Sequence, residues 1–505
     1  MAGGSSSAYY FEEITKYFLV LLGAVLGGVL IALNGITMAG MLIGLPIGIG
    51  IFYWFFKQPN LGIYLSLFQG FLLSFLGRYL PITLPLGLFV DFYLVITILV
   101  LFLKYWRSIN FSLARNEMTW VMTIWMGYVF LELFNPIAAS REAWFYAMRG
   151  IALYQLLIVI ICFLVFNSKK QMYTFFNIWF VFSVLSVLWG LRQKYVGVDP
   201  FEQAWLDAGA GERHILFGKL RVFGFYGDAA TYGAAMGHAC ISFLILFLGP
   251  FSRKWKVFYL LVGLGSFYAL MISGTRGALA VPAIGGLAFL LMSKNIKLLS
   301  AGLILFALTF SFLKFTTIGQ GNYDIARLRS ALDPEDASFQ ARLNNRRALD
   351  NYLRGKPLGG GVGAAGNWGA RFSPNTWLGQ FPTDGLFTRM KAETGVIGMY
   401  LYIFMWLIIL ARGIYFVWKF EDDERKYLAM AVLAGFAGLL AASYTNGLLT
   451  QFPNSLVTYV GLAFVYSMRY WDRDGQVVLP EKASRAPSFE GGRSQRFNDS
   501  NLPTN

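Results

Sequence analysis

The chain has 505 residues, of which 56% are hydrophobic, 17% aromatic and only 14% charged. Soluble proteins carry about a quarter charged residues, so this composition excludes an ordinary soluble domain and calls for lipid to cover the apolar surface. The net charge of +15 does not point to nucleic acid, because Lys and Arg fall in small groups between apolar stretches and form no single basic face or arm.

Taken in chain order, the first seven residues are small and polar, and no A-x-A-like cleavage site follows the first apolar run. That run reads as an uncleaved span, not a removed signal peptide. A membrane-crossing helix needs about 20 residues, fewer when its ends are mildly polar. On that basis apolar cores fall at 18–33, 36–56, 61–76, 84–103, 120–134, 151–166 and 173–189. They continue at 229–248, 257–272, 277–291, 296–312, 394–410, 427–443 and 455–468. The expectation is an all-α, polytopic transmembrane bundle; the shortest of the fourteen stretches leave the count at 12–14 spans.

The charges between spans supply an independent register. With the N-terminus placed in the cytoplasm, cytoplasmic span ends hold eighteen Lys and Arg residues. The short loops on the other side hold four, Arg78, Arg141, Arg149 and Arg276. This is a positive-inside pattern, and it predicts that both termini are cytoplasmic. Two segments are too long to be simple connections, 190–228 and 313–393, and the alternation places both outside. The second lies between the eleventh and twelfth spans and is the expected large periplasmic loop. Within it, 336–353 predicts a surface helix and the glycine-rich 355–369 an irregular stretch. The division is then a membrane domain over 1–471 and a polar cytoplasmic tail over 472–505, expected to be disordered.

Cys162 and Cys240 lie in apolar stretches, match no metal or redox spacing and read as packed thiols. His238 reads as a bundle histidine, His214 as a loop residue, and Glu132 is the main charge inside a span. Asp333, Glu335 and Asp336 cluster beside Pro334 with no His nearby and read as capping residues. The glycine run LGGGVGAAG (358–366) lacks the G-x-x-x-x-G-K-[ST] order of a nucleotide-binding loop.

Three features remain. Arg276 lies in SGTRG (273–277), between two spans joined by almost no loop. An arginine there either snorkels to the interface or finds an anion. Arg221 opens RVFGFYGD (221–228), just before the next span begins. Two guanidiniums entering from neighbouring spans suit bidentate binding of a diphosphate. The third feature is DGLFTRMKAETGVIG (384–398), in which Asp384 precedes Arg389 and Lys391. Those three cannot share one helical face, so no salt bridge among them is expected; Asp384 also reads as a helix N-cap.

In this order and setting the features resemble the bacterial O-antigen ligase and O-antigen polymerase superfamily, over residues 221–399. The resemblance rests on Arg-x-x-Gly-Phe before a span, on SGTRG, and on Arg346 and Ala348 followed by the Pro357–Gly363 stretch. It rests also on a last element read in ligases as His-Asn, nine residues, Gly, two residues, Gly. Asp384, Gly385, Gly395 and Gly398 meet that spacing, with Asp384 in place of the histidine.

The resemblance implies an inner-membrane, inverting glycosyltransferase that moves a glycan from undecaprenyl diphosphate to an acceptor hydroxyl at the periplasmic face. It implies catalytic roles for Arg221, Arg276 and Asp384 and substrate binding by Arg342, Arg346 and Arg389. Neither metal nor cofactor is expected. The implied partners are the lipid-linked glycan, membrane lipid and other polysaccharide-assembly proteins such as a chain-length regulator, and no nucleic acid. Asp384 favours a polymerase over a ligase. The rival reading is a lipid-linked glycan flippase, which would carry pseudo-symmetric halves and a charged central cavity; the sequence has no internal repeat.

Overall fold

A computed structural model describes residues 36–476 except 81–85, 106, 108, 110, 167, 217, 322, 331–332, 334 and 473–474, together with six isolated positions between Lys16 and Ala32. The expected first span and the tail beyond 476 thus lie outside the described stretch. Each of the other thirteen apolar stretches is helical. The helices are α1 (Ile36–Lys57), α2 (Leu61–Tyr79), α3 (Leu88–Tyr105), α4 (Glu117–Leu131), α5 (Arg141–Val165) and α6 (Lys169–Tyr195). After a short helix α7 (Pro200–Trp205) come α8 (Ala229–Leu248), α9 (Arg253–Ile272), α10 (Ala280–Ser293) and α11 (Ile296–Phe315).

The polar segment that follows is not bare loop. It carries α12 (Tyr323–Arg329), α13 (Ala337–Tyr352), α14 (Gly366–Phe372) and α15 (Trp377–Gln380). The chain then returns through α16 (Leu386–Lys419), α17 (Asp423–Ala442) and α18 (Asn454–Ser467). Among the described residues, ten helical stretches are long and apolar enough to cross a membrane, so the chain is a helical membrane protein. The described strand is limited to a two-residue ladder, β1 (Ile215–Leu216) against β2 (Lys219–Leu220), which the hydropathy pattern did not signal.

The bundle is organised around α8 and α17, most of whose residues are buried. Small residues let their backbones approach, as between helices in lipid. A Cβ at Gly435 would stand 2.1 Å from the ring of His238 on α8, and on the side of α17 that faces α10 one at Gly438 would stand 2.2 Å from the Val281 carbonyl. Ser242 donates across the α8–α17 interface to the Ala431 carbonyl at 2.8 Å. His238 is buried against Trp179 and both cysteines are buried thiols, in keeping with their packed reading.

One boundary differs from expectation. Arg141 and Arg149 were assigned to a short outer connection, but α5 begins at Arg141 and runs through both by way of a π-turn at Arg149–Leu153. The π-turn releases the Ile151 carbonyl, which accepts from the indole of Trp125 at 2.8 Å. Arg149 pairs with Asp91 on α3 at 2.8 Å. Hydropathy missed the first two turns of this helix because they carry the exposed charges Arg141 and Glu142, and Arg149 follows them.

At the other end of the chain, Asp472, Gly475 and Gln476 are ordered, where disorder was expected. Lys169 N–H donates to the Gly475 carbonyl at 2.8 Å, and Ser168 pairs with Gln476.

Candidate functional site

Arg221 follows β2, and its N–H donates to the His214 carbonyl at 2.7 Å. The turn after it is held from outside. Arg78 on α2 donates to the carbonyls of Gly224 and Tyr226, both at 2.7 Å. Gln193 Oε1 accepts from the N–H groups of Phe223 and Gly224. Asp228 then caps α8, accepting from Ala230 and Thr231. His214 is more than a loop residue: it packs between the rings of Trp205 and Phe223, and that burial lowers its pKa. So fixed, Arg221 extends its guanidinium to Thr275 Oγ1 at 2.8 Å. Thr275 in turn donates to the Ala229 carbonyl at 2.9 Å, joining RVFGFYGD to SGTRG.

The SGTRG turn needs its first glycine, whose φ is +58°. The Gly274 carbonyl accepts from Arg327 Nε on α12 at 2.6 Å. Arg276 donates to Ser330 Oγ at 3.0 Å and forms an ion pair with Asp336, both side chains being mostly buried. Asp336 also accepts from Phe339 N–H at 3.1 Å as the N-cap of α13. The capping reading of Asp336 is therefore correct, and the same carboxylate also serves as the counter-ion of Arg276. Three arginines, Arg221, Arg276 and Arg327, thus surround one turn.

The second arginine group surrounds Asp384. The capping reading fails here: the residue preceding α16 is Gly385, with φ +97°, and no side chain caps that helix end. A Cβ at Gly385 would stand 2.3 Å from the Tyr444 carbonyl, so the chain before α16 must pass close to the turn that follows α17. Asp384 is half-buried, and its carboxylate has no hydrogen bond or ion pair among the described residues.

Arg346 on α13 stacks on the Tyr444 ring at 3.6 Å and donates to its carbonyl at 3.1 Å. Burial and the neighbouring Arg342 lower the Arg346 pKa, opposed by the negative charges of Asp384 and Asp350. Arg342, Arg346 and Asp384 therefore share one electrostatic neighbourhood. Arg342 itself is half-buried and has no hydrogen bond or ion pair among the described residues. Arg389 and Lys391 turn elsewhere, as their spacing from Asp384 required. Lys391 pairs with Asp350 at 2.5 Å, and Arg389 Nε donates to Glu393 Oε1 at 2.9 Å.

Glu393 explains the glycine run. Its side chain is fully buried, and the backbone amides of Gly363 and Ala365 adjoin its carboxylate. The anion beside these glycines is thus a residue of the chain itself, which fits the missing nucleotide-binding order. The run also wraps a break in α16. Gly395 has φ +69°, and a Cβ there would lie 1.9 Å from the Pro357 carbonyl. The Leu358 carbonyl accepts from Asn135, which also binds the buried Glu132, the one conspicuous charge within a span.

Both arginine groups border the turn at 443–447 that follows α17. A Cβ at Gly277, beside Arg276, would meet Thr445 Oγ1 at 2.3 Å. Leu386 N–H donates to the Ser443 carbonyl at 2.9 Å, bringing the start of α16 to the same turn. The sequence had not singled out Arg327, Glu393 or Tyr444, and Arg78 stood out only as an outer loop charge. Glu393 alone carried a signal, standing four residues after Arg389 on a helix. Among the described residues, no group of three or more His, Cys, Asp and Glu could hold a metal ion. The sequence matches no known family model and no curated protein.

Proposed function

We propose that this protein is an inner-membrane glycosyltransferase of the O-antigen ligase and polymerase type. It moves a glycan from undecaprenyl diphosphate to an acceptor hydroxyl at the periplasmic face. The observation that carries this reading is the meeting, around one turn, of an arginine pair (Arg221 and Arg276) and a carboxylate, Asp384, that has no ion pair among the described residues and shares the neighbourhood of Arg342 and Arg346. The long segment between α11 and α16 would then be periplasmic and both termini cytoplasmic, as the charge asymmetry of the span ends requires.

In this scheme the acceptor hydroxyl attacks the anomeric carbon from the face opposite the diphosphate. The new C–O bond forms as the bond to the diphosphate oxygen breaks, inverting the centre. Asp384 accepts the hydroxyl proton, and the departing oxygen keeps the bonding electron pair. Arg221 and Arg276 stabilise the charge that develops there, where fixed positive groups contribute most. Asp384, standing where ligases carry histidine, favours a glycan acceptor and hence a polymerase.

The test uses purified protein and a lipid-linked glycan. Transfer should release undecaprenyl diphosphate, and Arg276→Ala or Arg221→Ala should slow it by about 10²–10³-fold while insertion stays normal. Undiminished transfer in both variants would overturn the proposal. Glycan movement across a vesicle without diphosphate release would indicate a flippase instead.

A further inference from the structure

We infer that Asp336 is an internal counter-ion that occupies the donor diphosphate's place on Arg276, so that donor binding must displace it. The inference rests on the diphosphate reading of Arg276 given above. Arg276 lies on the SGTRG turn, whereas Asp336 lies sixty residues later, at the start of α13. Nothing in local chain geometry brings them together. Arg276 spends one guanidinium nitrogen on Asp336 and on Ser330 Oγ, the face a phosphate oxygen would take. With Asp336 in place the local charge of Arg221 and Arg276 is partly neutralised, and an incoming diphosphate meets a carboxylate of its own sign.

Asp336 also has a second connection. Its other carboxylate oxygen caps α13, the helix that carries Arg342 and Arg346 to the neighbourhood of Asp384. One side chain therefore touches the donor arginine and anchors the helix that serves the acceptor side. It is a positioning residue: it contacts neither reacting atom, yet it sets how readily Arg276 accepts an anion.

The alternative is a purely structural staple, and affinity separates the two. Asn and Ser both retain the N-cap but remove the charge. Inorganic diphosphate is titrated into detergent-solubilised wild-type, Asp336→Asn, Asp336→Ser and Arg276→Ala proteins. Removing the competing carboxylate should tighten diphosphate binding by about three- to tenfold in both Asp336 variants, as a partial charge pair would imply, whereas Arg276→Ala should weaken it. A weakened Arg276→Ala with no gain in either Asp336 variant overturns the counter-ion assignment alone. Wild-type affinity in all three variants overturns the diphosphate reading itself. If Asp336→Asn does not fold, Asp336→Ser decides.

Discussion

The two arginine groups are held in different ways. Around SGTRG, the guanidiniums of Arg221, Arg276 and Arg327 reach across the chain to a threonine hydroxyl, a carboxylate with a serine hydroxyl, and a glycine carbonyl. Around Asp384 the support is mixed: one pair is local, one contact is long-range and one arginine is without an ion pair among the described residues. Arg389 is fixed by Glu393 one turn along its own helix, Arg346 rests on the distant Tyr444 ring and its carbonyl, and Arg342 has no ion pair among the described residues. Long-range partners can be exchanged for a ligand without unfolding a helix, whereas the Arg389–Glu393 pair cannot open without exposing a buried charge. The first group is arranged to be re-partnered, whereas the Arg389–Glu393 pair is arranged to stay in place.

Four substitutions can break or sharpen this contrast. The largest effect is expected for Glu393→Ala, which strips the guanidinium and the glycine-run amides of a fully buried carboxylate. A loss of about 3–5 kcal/mol should appear as a strongly lowered melting temperature in detergent. A melting temperature equal to wild type would show that the second group is not rigidly built.

Asp336→Ala removes a cap and a partly exposed ion pair, so the expected cost is smaller, about 1–2 kcal/mol by chemical denaturation. A loss as large as that of Glu393→Ala would erase the contrast. Lys391→Ala breaks a pair whose carboxylate is more than half exposed, and stability should change by about 0.5 kcal/mol or less. Arg342→Ala should leave the melting curve unchanged, because the guanidinium has no partner to lose, while glycan transfer falls about tenfold. Equal transfer in Arg342→Ala and wild type would remove Arg342 from the substrate-binding set.

Much of the architecture was legible because lipid imposes a simple rule. Thirteen apolar stretches are helices at nearly the expected places, and 337–352 is the expected polar helix. What hydropathy cannot see is a helix that begins on exposed charged residues, as α5 does at Arg141 and Glu142, or a polar group satisfied inside the protein, as Arg149 is by Asp91. The candidate site was legible only in part, for the same reason. Arg221, Arg276 and Asp384 stood out as charges near apolar stretches, but their partners are set by contacts between distant segments. No local spacing links Arg276 to Asp336, or Arg346 to Tyr444. The Arg389–Glu393 pair was readable at i,i+4, but only once the segment before 394 is recognised as helix.

The pairing of the tail fixes more than its own position. Gly475 and Gln476 touch Lys169 and Ser168 at the start of α6, the Trp471 carbonyl accepts from Arg425 at the start of α17, and Lys169 also meets Glu424 at 2.6 Å. Three chain ends that hydropathy treats separately therefore share one membrane face, whatever the number of crossings between them. A single topology reporter fused beyond Gln476 would read the sidedness of all three at once, and an odd number of crossings between any two of them is ruled out by parity.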